Sequence, residues 1–162
     1  MVIRRGPMSR WLGGWRQRAI AGVVVAALVA VAAPAFAKEP LYTGGGLALS
    51  GYDAVAYFSE GKPVKGRPEF ETQWGGARWQ FASAANREAF VKSPDRYAPQ
   101  YGGYCAYAVS KGSTASADPM VWRIVDGKLY VNYSKSVQGL WGQDIPGNIN
   151  KANGNWPAVL AK

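Results

Sequence analysis

The sequence contains no histidine and only one cysteine, and these two shortages exclude many classes of enzyme. Without histidine, the chain cannot form a Ser-His-Asp triad, a Cys-His dyad or a histidine-ligated zinc or copper site. With Cys105 as its only thiol, it cannot form an internal disulfide, a CxxC redox pair or a four-cysteine metal site. Its glycine runs lack the flanking residues of phosphate-binding loops. We therefore expect a protein that is not an enzyme.

Acidic residues are absent from the first 37 positions, which have the order of a secretory signal peptide. Five arginines precede an uninterrupted apolar run over residues 19–33, and Ala35 and Ala37 form a small-residue cleavage motif. The apolar run is shorter than the roughly 20 residues that span a bilayer, so an uncleaved anchor is disfavoured. We predict cleavage between Ala37 and Lys38, with no stable membrane insertion afterwards. The protein is then periplasmic or secreted in a bacterium, exported by the Sec or the twin-arginine route.

The excess of positive charge in the chain comes mainly from this first segment. The whole sequence has 19 basic and 10 acidic residues, and five of the basic residues but none of the acidic ones precede Lys38. Residues 38–162 therefore have a net charge of +4, without any run of Lys or Arg. Because binding to nucleic acid depends on a basic patch, we expect no nucleic-acid partner.

Glycine and proline are abundant, with 20 and 10 residues, which favours a loop-rich domain over a helical bundle. Hairpins are predicted where alternating strands flank Gly75-Gly76 and Asp126-Gly127. Ser83 and Asp144 are predicted to cap helices, and a short apolar strand is predicted over residues 54–58. We expect a small single α+β domain with two short antiparallel hairpins and three or four short helices.

Several motifs after residue 37 are similar to those of the secreted bacterial YHS domain proteins. They read GYDAVAYF at residues 51–58, WQF at 79–81, NREAF at 86–90, PDRYAPQYGGYCA at 94–106, GKLY at 127–130 and NWP at 155–157. The resemblance covers residues 48–157 and implies a treble-clef-like YHS fold for them. The glycine-rich residues 38–47 are expected to be a flexible lead-in, and residues 158–162 a tail.

The resemblance also implies an association with metals, because related YHS domains carry several cysteines and occur beside heavy-metal transporters. This sequence departs from that pattern at two places. Residues 54–57, Ala-Val-Ala-Tyr, stand where a relative has a cysteine before the first hairpin. Residues 81–83, Phe-Ala-Ser, stand where a relative has a cysteine before the helix cap. The resemblance therefore predicts the fold more strongly than the metal.

Cys105 and Met120 are the sulfur-containing residues that remain after removal of the signal peptide. Soft sulfur atoms suit Cu(I), so these two residues are the predicted metal ligands. Alternatively, Cys105 packs as a small buried apolar group or forms an intermolecular disulfide. If exposed at a helix start, it is a reactive thiol, whereas contact with Ala108 and Val109 in the core makes it inert. The flanking Ala106 and Ala108 favour burial.

Asp53 and a group of tyrosines are the candidates for contact with a ligand or a protein partner. The tyrosines lie close together in the sequence: Tyr97, Tyr101, Tyr104 and Tyr107. They suit a stacking platform for a planar ligand, but core packing with hydrogen-bonded hydroxyls is the stronger alternative. Asp53 suits a hard metal ion or an acid, but an aspartate at this place more often caps backbone N–H groups in a turn.

These observations together predict a non-enzymatic periplasmic binding or accessory module of the YHS type. Its first expected ligand class is a metal ion, with Cu(I) as the leading candidate and Cys105 and Met120 as the local support. The alternative is a metal-independent module that binds a protein partner or a small ligand through an aromatic surface. The sequence does not identify the partner.

Overall fold

The computed structural model describes residues 38–162, and the predicted signal peptide lies outside this range. The strands of the described residues are β1 (Thr43–Gly44), β2 (Leu47–Ala48), β3 (Arg67–Trp74), β4 (Ala77–Phe81), β5 (Asp118–Val125) and β6 (Lys128–Asn132). The helices are α1 (Ala56–Ser59), α2 (Ala84–Lys92), α3 (Pro94–Tyr97), α4 (Ala106–Ser110), α5 (Lys135–Gly142) and α6 (Ile145–Asn155). Among these residues, no helix has the length and apolar character needed to cross a membrane.

The predicted aromatic hairpin is present and lies in a four-stranded sheet of order β1-β2-β4-β3. β3 and β4 pair antiparallel around a turn made by the left-handed Gly75 and Gly76. The alternation of β4 places Trp79 and Phe81 on the inner face, where both are almost fully buried. Both rings contact Phe90 of α2, at centroid distances of 4.8 and 5.1 Å. This contact between hairpin and helix forms the centre of the first hydrophobic core.

The apolar segment after Asp53 is a helical turn and not the predicted strand. The Oδ1 atom of Asp53 accepts the backbone N–H of Val55 at 2.8 Å and that of Ala56 at 3.2 Å, which starts the turn that becomes α1. Residues 53–57 are all buried, so no alternation of inner and outer positions distinguishes a strand from a helix here. The capping side chain therefore determines a conformation that the apolar pattern left open.

The glycine-rich residues 38–47, predicted as a flexible lead-in, form backbone hydrogen bonds with distant segments of the domain. β1 and β2 pair antiparallel, and β2 joins β4 in parallel. The backbone N–H of Lys38 donates to the carbonyl of Leu160, in the predicted tail, at 3.0 Å. The N–H of Tyr42 donates to the carbonyl of Gly102 at 2.9 Å. Composition alone did not indicate these contacts, because the partners lie far along the chain.

The second hairpin and the last helices enclose a second hydrophobic core. β5 and β6 pair antiparallel around Asp126 and Gly127, whose φ angles of 49° and 70° fit the type I′ turn expected for Asp-Gly. Asp144 caps α6 as predicted, because its Oδ1 accepts the N–H of Gly147 at 2.9 Å. Trp141 of α5 is fully buried in this core.

The α+β class is confirmed, and the two predicted hairpins lie in separate sheets. Ser83 caps α2 as predicted, with its Oγ accepting the N–H of Asn86 at 3.1 Å. The described residues contain six α-helices, more than the three or four indicated by the sequence. Both α1 and α3 are single turns of four residues, too short to show a helical periodicity.

Candidate functional site

Asp53 is a fully buried carboxylate that joins three parts of the first core. Besides the two N–H groups at the start of α1, it accepts the backbone N–H of Ala82 at 2.8 Å and the Nδ2 of Asn86 at 2.7 Å, both through Oδ2. Four donors therefore compensate for the desolvation of this buried side chain. The arrangement matches the backbone-capping alternative and links α1, the end of β4 and α2.

The same contacts join the two segments at which the resemblance led us to expect cysteines in a metal-binding relative. Residues 54–57 and 81–83 approach each other through the Asp53 side chain, which bonds to backbone groups of both segments. Both carboxylate oxygens already accept two donors each, and a metal ion would have to displace them. The centre formed by Asp53 therefore holds the fold together and does not fit a metal site.

Cys105 immediately precedes α4 and is 1% exposed. Its thiol donates to the Oδ1 of Asn132 at 3.6 Å, and its sulfur accepts the backbone N–H of Tyr133 at 3.3 Å. Cys105 also lines an open apolar cavity of about 260 Å³ together with Ala108 and Val137. The thiol is thus a buried group with two polar partners, beside a small apolar hollow.

The donor set around Cys105 does not fit a Cu(I) site. Met120, the predicted second ligand, is 48% exposed on β5 and is not among the residues that line the Cys105 cavity. The Oδ1 of Asn132 already accepts the N–H of Tyr107 at 3.1 Å as well as the thiol. Within residues 38–162, no group of three or more His, Cys, Asp or Glu side chains is placed to hold a metal ion. One thiol beside an amide oxygen is a poor match for a metal that prefers several soft ligands.

The hydroxyl groups of Tyr101 and Tyr104 are used inside the domain. The Tyr101 hydroxyl donates to the Oδ1 of Asn153 at 2.9 Å, and the Tyr104 hydroxyl donates to the carbonyl of Glu39 at 2.8 Å. Burial raises the pKa of both tyrosines above the usual range, so both hydroxyls keep their protons, and donate these hydrogen bonds, beyond the pH at which a free phenol ionises. These two residues follow the core-packing alternative.

Tyr97 and Tyr107 lie in different surroundings, so the four tyrosines do not form one platform. Tyr97 packs edge-on against Phe58 at a centroid distance of 5.5 Å. Tyr107 lines the cavity beside Cys105, and the ammonium group of Lys111 lies 4.9 Å from its ring centroid. A ligand contact through all four tyrosines at once is therefore not what the fold provides.

A cleft of about 350 Å³ lies where the lead-in, the turn of the first hairpin and the segment before α4 meet. Two half-buried indoles, Trp74 and Trp156, line it together with Asp95 and Tyr101. The rest of the wall includes Pro40, Leu41, Gly75, Pro99, Gln100 and Gly102. We name it the Trp74–Trp156 cleft. Its volume falls in the range of about 300–1,000 Å³ that small-ligand sites occupy.

The backbone at this cleft has a conformation that bulky residues rarely adopt. Tyr101 has φ 54° and ψ 38°, and Gly102 follows with φ 60°. For a residue with a side chain, this left-handed region costs of the order of 1–2 kcal/mol. Strain of this kind persists only where the surrounding contacts enforce it, and it clusters at functional sites.

Two glycines allow the lead-in to approach closely enough to form one wall of the cleft. A Cβ atom on Gly102 would overlap the carbonyl oxygen of Pro40. A Cβ atom on Gly75 would come within 2.8 Å of the Cδ1 of Leu41. Both glycines also have positive φ angles, of 60° and 61°. A side chain at Gly102 would therefore push the backbone of the wall away, whereas one at Gly75 would require the Leu41 side chain to move.

The fold and the cleft together define a small α+β domain with an open aromatic site. The family model of the YHS domain matches residues 55–101, from the start of α1 to the strained tyrosine. The chain therefore contains a YHS domain. No curated protein and no solved structure gave a significant match. The matched stretch supplies Trp74, Asp95 and Tyr101 to the cleft, whereas Trp156 lies beyond it.

Sequence reasoning did not identify this cleft. Trp74 and Trp156 lie far apart in the chain, and nothing in their local pattern indicates that they line one site. The available signal was the long motif over residues 94–106, which contains both Asp95 and Tyr101. From this motif only the tyrosines were predicted as ligand contacts, and Asp95 was not.

Proposed function

We propose that the protein is a non-enzymatic, exported YHS-type module that binds a small ligand, without a metal, in the Trp74–Trp156 cleft. The observation that carries the proposal is the strained Tyr101 backbone at the base of an aromatic cleft of ligand size. Backbone strain of this kind clusters at functional sites, and here it lies in the wall of a cleft of ligand size.

The construction of the cleft supports this proposal. Trp156 packs against Tyr101 and Tyr104 at centroid distances of 6.0 and 6.1 Å, so the core holds its ring in place. Trp74 packs against Trp79 and Phe90, both at 5.8 Å. Aromatic walls that are fixed before binding lower the entropic cost of complex formation.

Copper handling is the competing function, because YHS domains are associated with metals. The hydrogen-bonded Asp53 and the separation of Met120 from the Cys105 cavity argue against it. An anaerobic Cu(I) titration in the presence of a competing chelator distinguishes the two functions. We expect no stoichiometric binding by the wild type. Tight binding that is lost in Cys105→Ser would overturn the metal-independent proposal.

Indole N–H resonances provide the direct test of the cleft. The purified ¹⁵N-labelled protein is titrated separately with indole, glucose and choline at millimolar concentrations. We expect saturable shifts of the Trp74 and Trp156 resonances with at least one probe, while Trp141 stays unchanged. The matched variant Gly102→Ala should weaken that response, because it displaces Pro40. Shifts that never saturate with any probe would contradict the proposal.

Export is tested by the intact mass of the protein recovered outside the cytoplasm. A mature chain that begins at Lys38 is expected. A membrane-retained species that still contains residues 19–33 would contradict this part of the proposal.

A further inference from the structure

We propose that the ligand of the Trp74–Trp156 cleft is an organic cation, such as a substituted ammonium or guanidinium group, held by the Asp95 carboxylate and the two indoles. This inference rests on the proposed function and adds the chemical class of the ligand. Three features carry it: the charge of the cleft, the chemistry of its walls and the contrast with a second cavity.

The charge of the cleft comes from Asp95. Among the described residues that line the cleft, Asp95 alone has a charged side chain. Within residues 38–162 it takes part in no ion pair. The neighbouring Arg96 forms no ion pair with it, and its guanidinium group lies over the ring of Tyr97, 5.4 Å from the centroid. Tyr101 contributes no charge, because an ordinary phenol is already neutral at pH 7 and burial raises the pKa of this one further. The cleft therefore presents an uncompensated carboxylate in a domain whose net charge is positive.

The walls of the cleft suit the same class of ligand. The face of an indole carries negative electrostatic potential and attracts cations, and tryptophan is the best of the aromatic side chains for this contact. Aromatic cages are a recurring solution for recognition of quaternary ammonium ligands, and a nearby carboxylate adds Coulomb attraction for a cation. Trp74 and Trp156 supply such walls beside Asp95.

A second cavity shows that this combination is not general on the surface. A cavity of about 490 Å³ beside α5 also has a tryptophan, Trp122, among its lining residues, but its charged residues are Arg123 and Lys135. An organic cation would be repelled there. The molecule therefore contains an internal control, in which the same type of wall is paired with the opposite charge.

The experiment compares choline with 3,3-dimethylbutan-1-ol, in which a carbon atom replaces the ammonium nitrogen. Binding is followed through the indole resonances of Trp74 and Trp156 in the full purified protein. We expect choline to bind about tenfold more tightly than the neutral alcohol. Trp122 should not respond to choline.

Two matched variants locate the effect. Asp95→Asn removes the charge with little change of shape, and we expect it to weaken choline about tenfold while the alcohol is unaffected. Glu88→Gln removes the charge of another exposed carboxylate, outside the cleft, and should change neither ligand. Circular dichroism confirms that each variant is folded.

The outcomes separate this inference from the proposed function. Equal binding of choline and the alcohol, or unchanged choline binding in Asp95→Asn, would overturn the organic cation but leave a ligand-binding cleft. Saturable binding of indole or glucose alone would do the same. If none of these probes gives a saturable shift of Trp74 and Trp156, both the inference and the proposed function fail.

Discussion

Two buried polar centres of the domain, one at Asp53 and one at Asn132, differ in how completely their hydrogen bonds are made. In the first core, each oxygen of Asp53 accepts two donors. At the second centre, the Oδ1 of Asn132 accepts the N–H of Tyr107 and the thiol of Cys105. The buried Nδ2 of Asn132 has no hydrogen-bond partner within residues 38–162. The Nε1 of Trp141, in the second hydrophobic core, also has no hydrogen-bond partner among the described residues.

This difference indicates where the structure is strongly specified. A buried polar group with every hydrogen bond made favours one arrangement, because any displacement leaves a donor or acceptor unpaired. Asp53 lies just before the stretch that the YHS model matches, and its four donors, on Val55, Ala56, Ala82 and Asn86, lie within that stretch. The centre at Asn132 lies outside that stretch and includes an unpaired amide that lowers its net contribution to stability. Substitutions in and around the two centres test this contrast.

Trp79→Ala should produce the largest loss, because the ring is 1% exposed and packs on Trp74 and Phe90. We expect the free energy of unfolding to fall by about 3–5 kcal/mol, measured by urea denaturation. Tyr133→Ala, at an aromatic residue that is 57% exposed, is the control and should change little. A denaturation curve of Trp79→Ala that matches wild type would show that the first core does not depend on this ring.

Asp53→Asn should lower the free energy of unfolding, measured by urea denaturation, by about 2–3 kcal/mol, although the two side chains have nearly the same shape. The amide oxygen can replace one carboxylate oxygen, but the amide NH₂ then faces the donors of Ala82 and Asn86. Asp95→Asn is the matched control at an exposed aspartate, with an expected change below about 0.5 kcal/mol. Equal stabilities of the two variants would remove the argument that Asp53 links three segments.

Asn132→Ala should lower the free energy of unfolding, measured in the same way, by about 1–2 kcal/mol, which is less than the change at Asp53. Two hydrogen bonds are lost, but the unpaired buried Nδ2 is removed with them, and its absence offsets part of the loss. The exposed Asn150→Ala serves as the control. If Asn132→Ala proves more destabilising than Asp53→Asn, the contrast between the two centres is wrong.

Labelling of Cys105, whose thiol bonds to Asn132, tests the second centre without a substitution in it. Because the thiol is 1% exposed, a thiol reagent should react at least about a hundredfold more slowly than with a surface cysteine, until denaturant is added. The reference is Ser136→Cys combined with Cys105→Ser, which places the only thiol at an exposed position. Rapid labelling of native Cys105 that Cu(I) suppresses would reverse our assignment and make this residue the functional site.

Features that depend on neighbouring residues were predictable from the sequence. Gly75-Gly76 between alternating aromatic residues indicated the first hairpin, and Asp126-Gly127 indicated the second. Ser83 and Asp144 indicated the starts of α2 and α6 through their capping side chains. In each case the deciding interaction joins residues only a few positions apart, so it can be seen in the order of the amino acids.

Features that depend on distant partners were not predictable in the same way. The strand expected over residues 54–58 is a helical turn, since complete burial removes the periodicity that separates the two conformations. The lead-in expected to be flexible pairs with Leu160 and Gly102. The cleft escaped notice because its indoles come from the first hairpin and from the end of α6, which only the folded chain brings together.

The order of amino acids was sufficient to predict the α+β class, the two turns, the capped helices and the chemistries that a chain without histidine cannot perform. These follow from residue types and from patterns with short periods. The tertiary structure decided the roles of individual residues. It placed Asp53 among four donors, buried Cys105 away from Met120, and combined Trp74, Asp95 and Trp156 in one cleft. The physical reason is that burial, charge compensation and cavity shape are properties of several distant segments in contact, and no local pattern encodes which segments will meet.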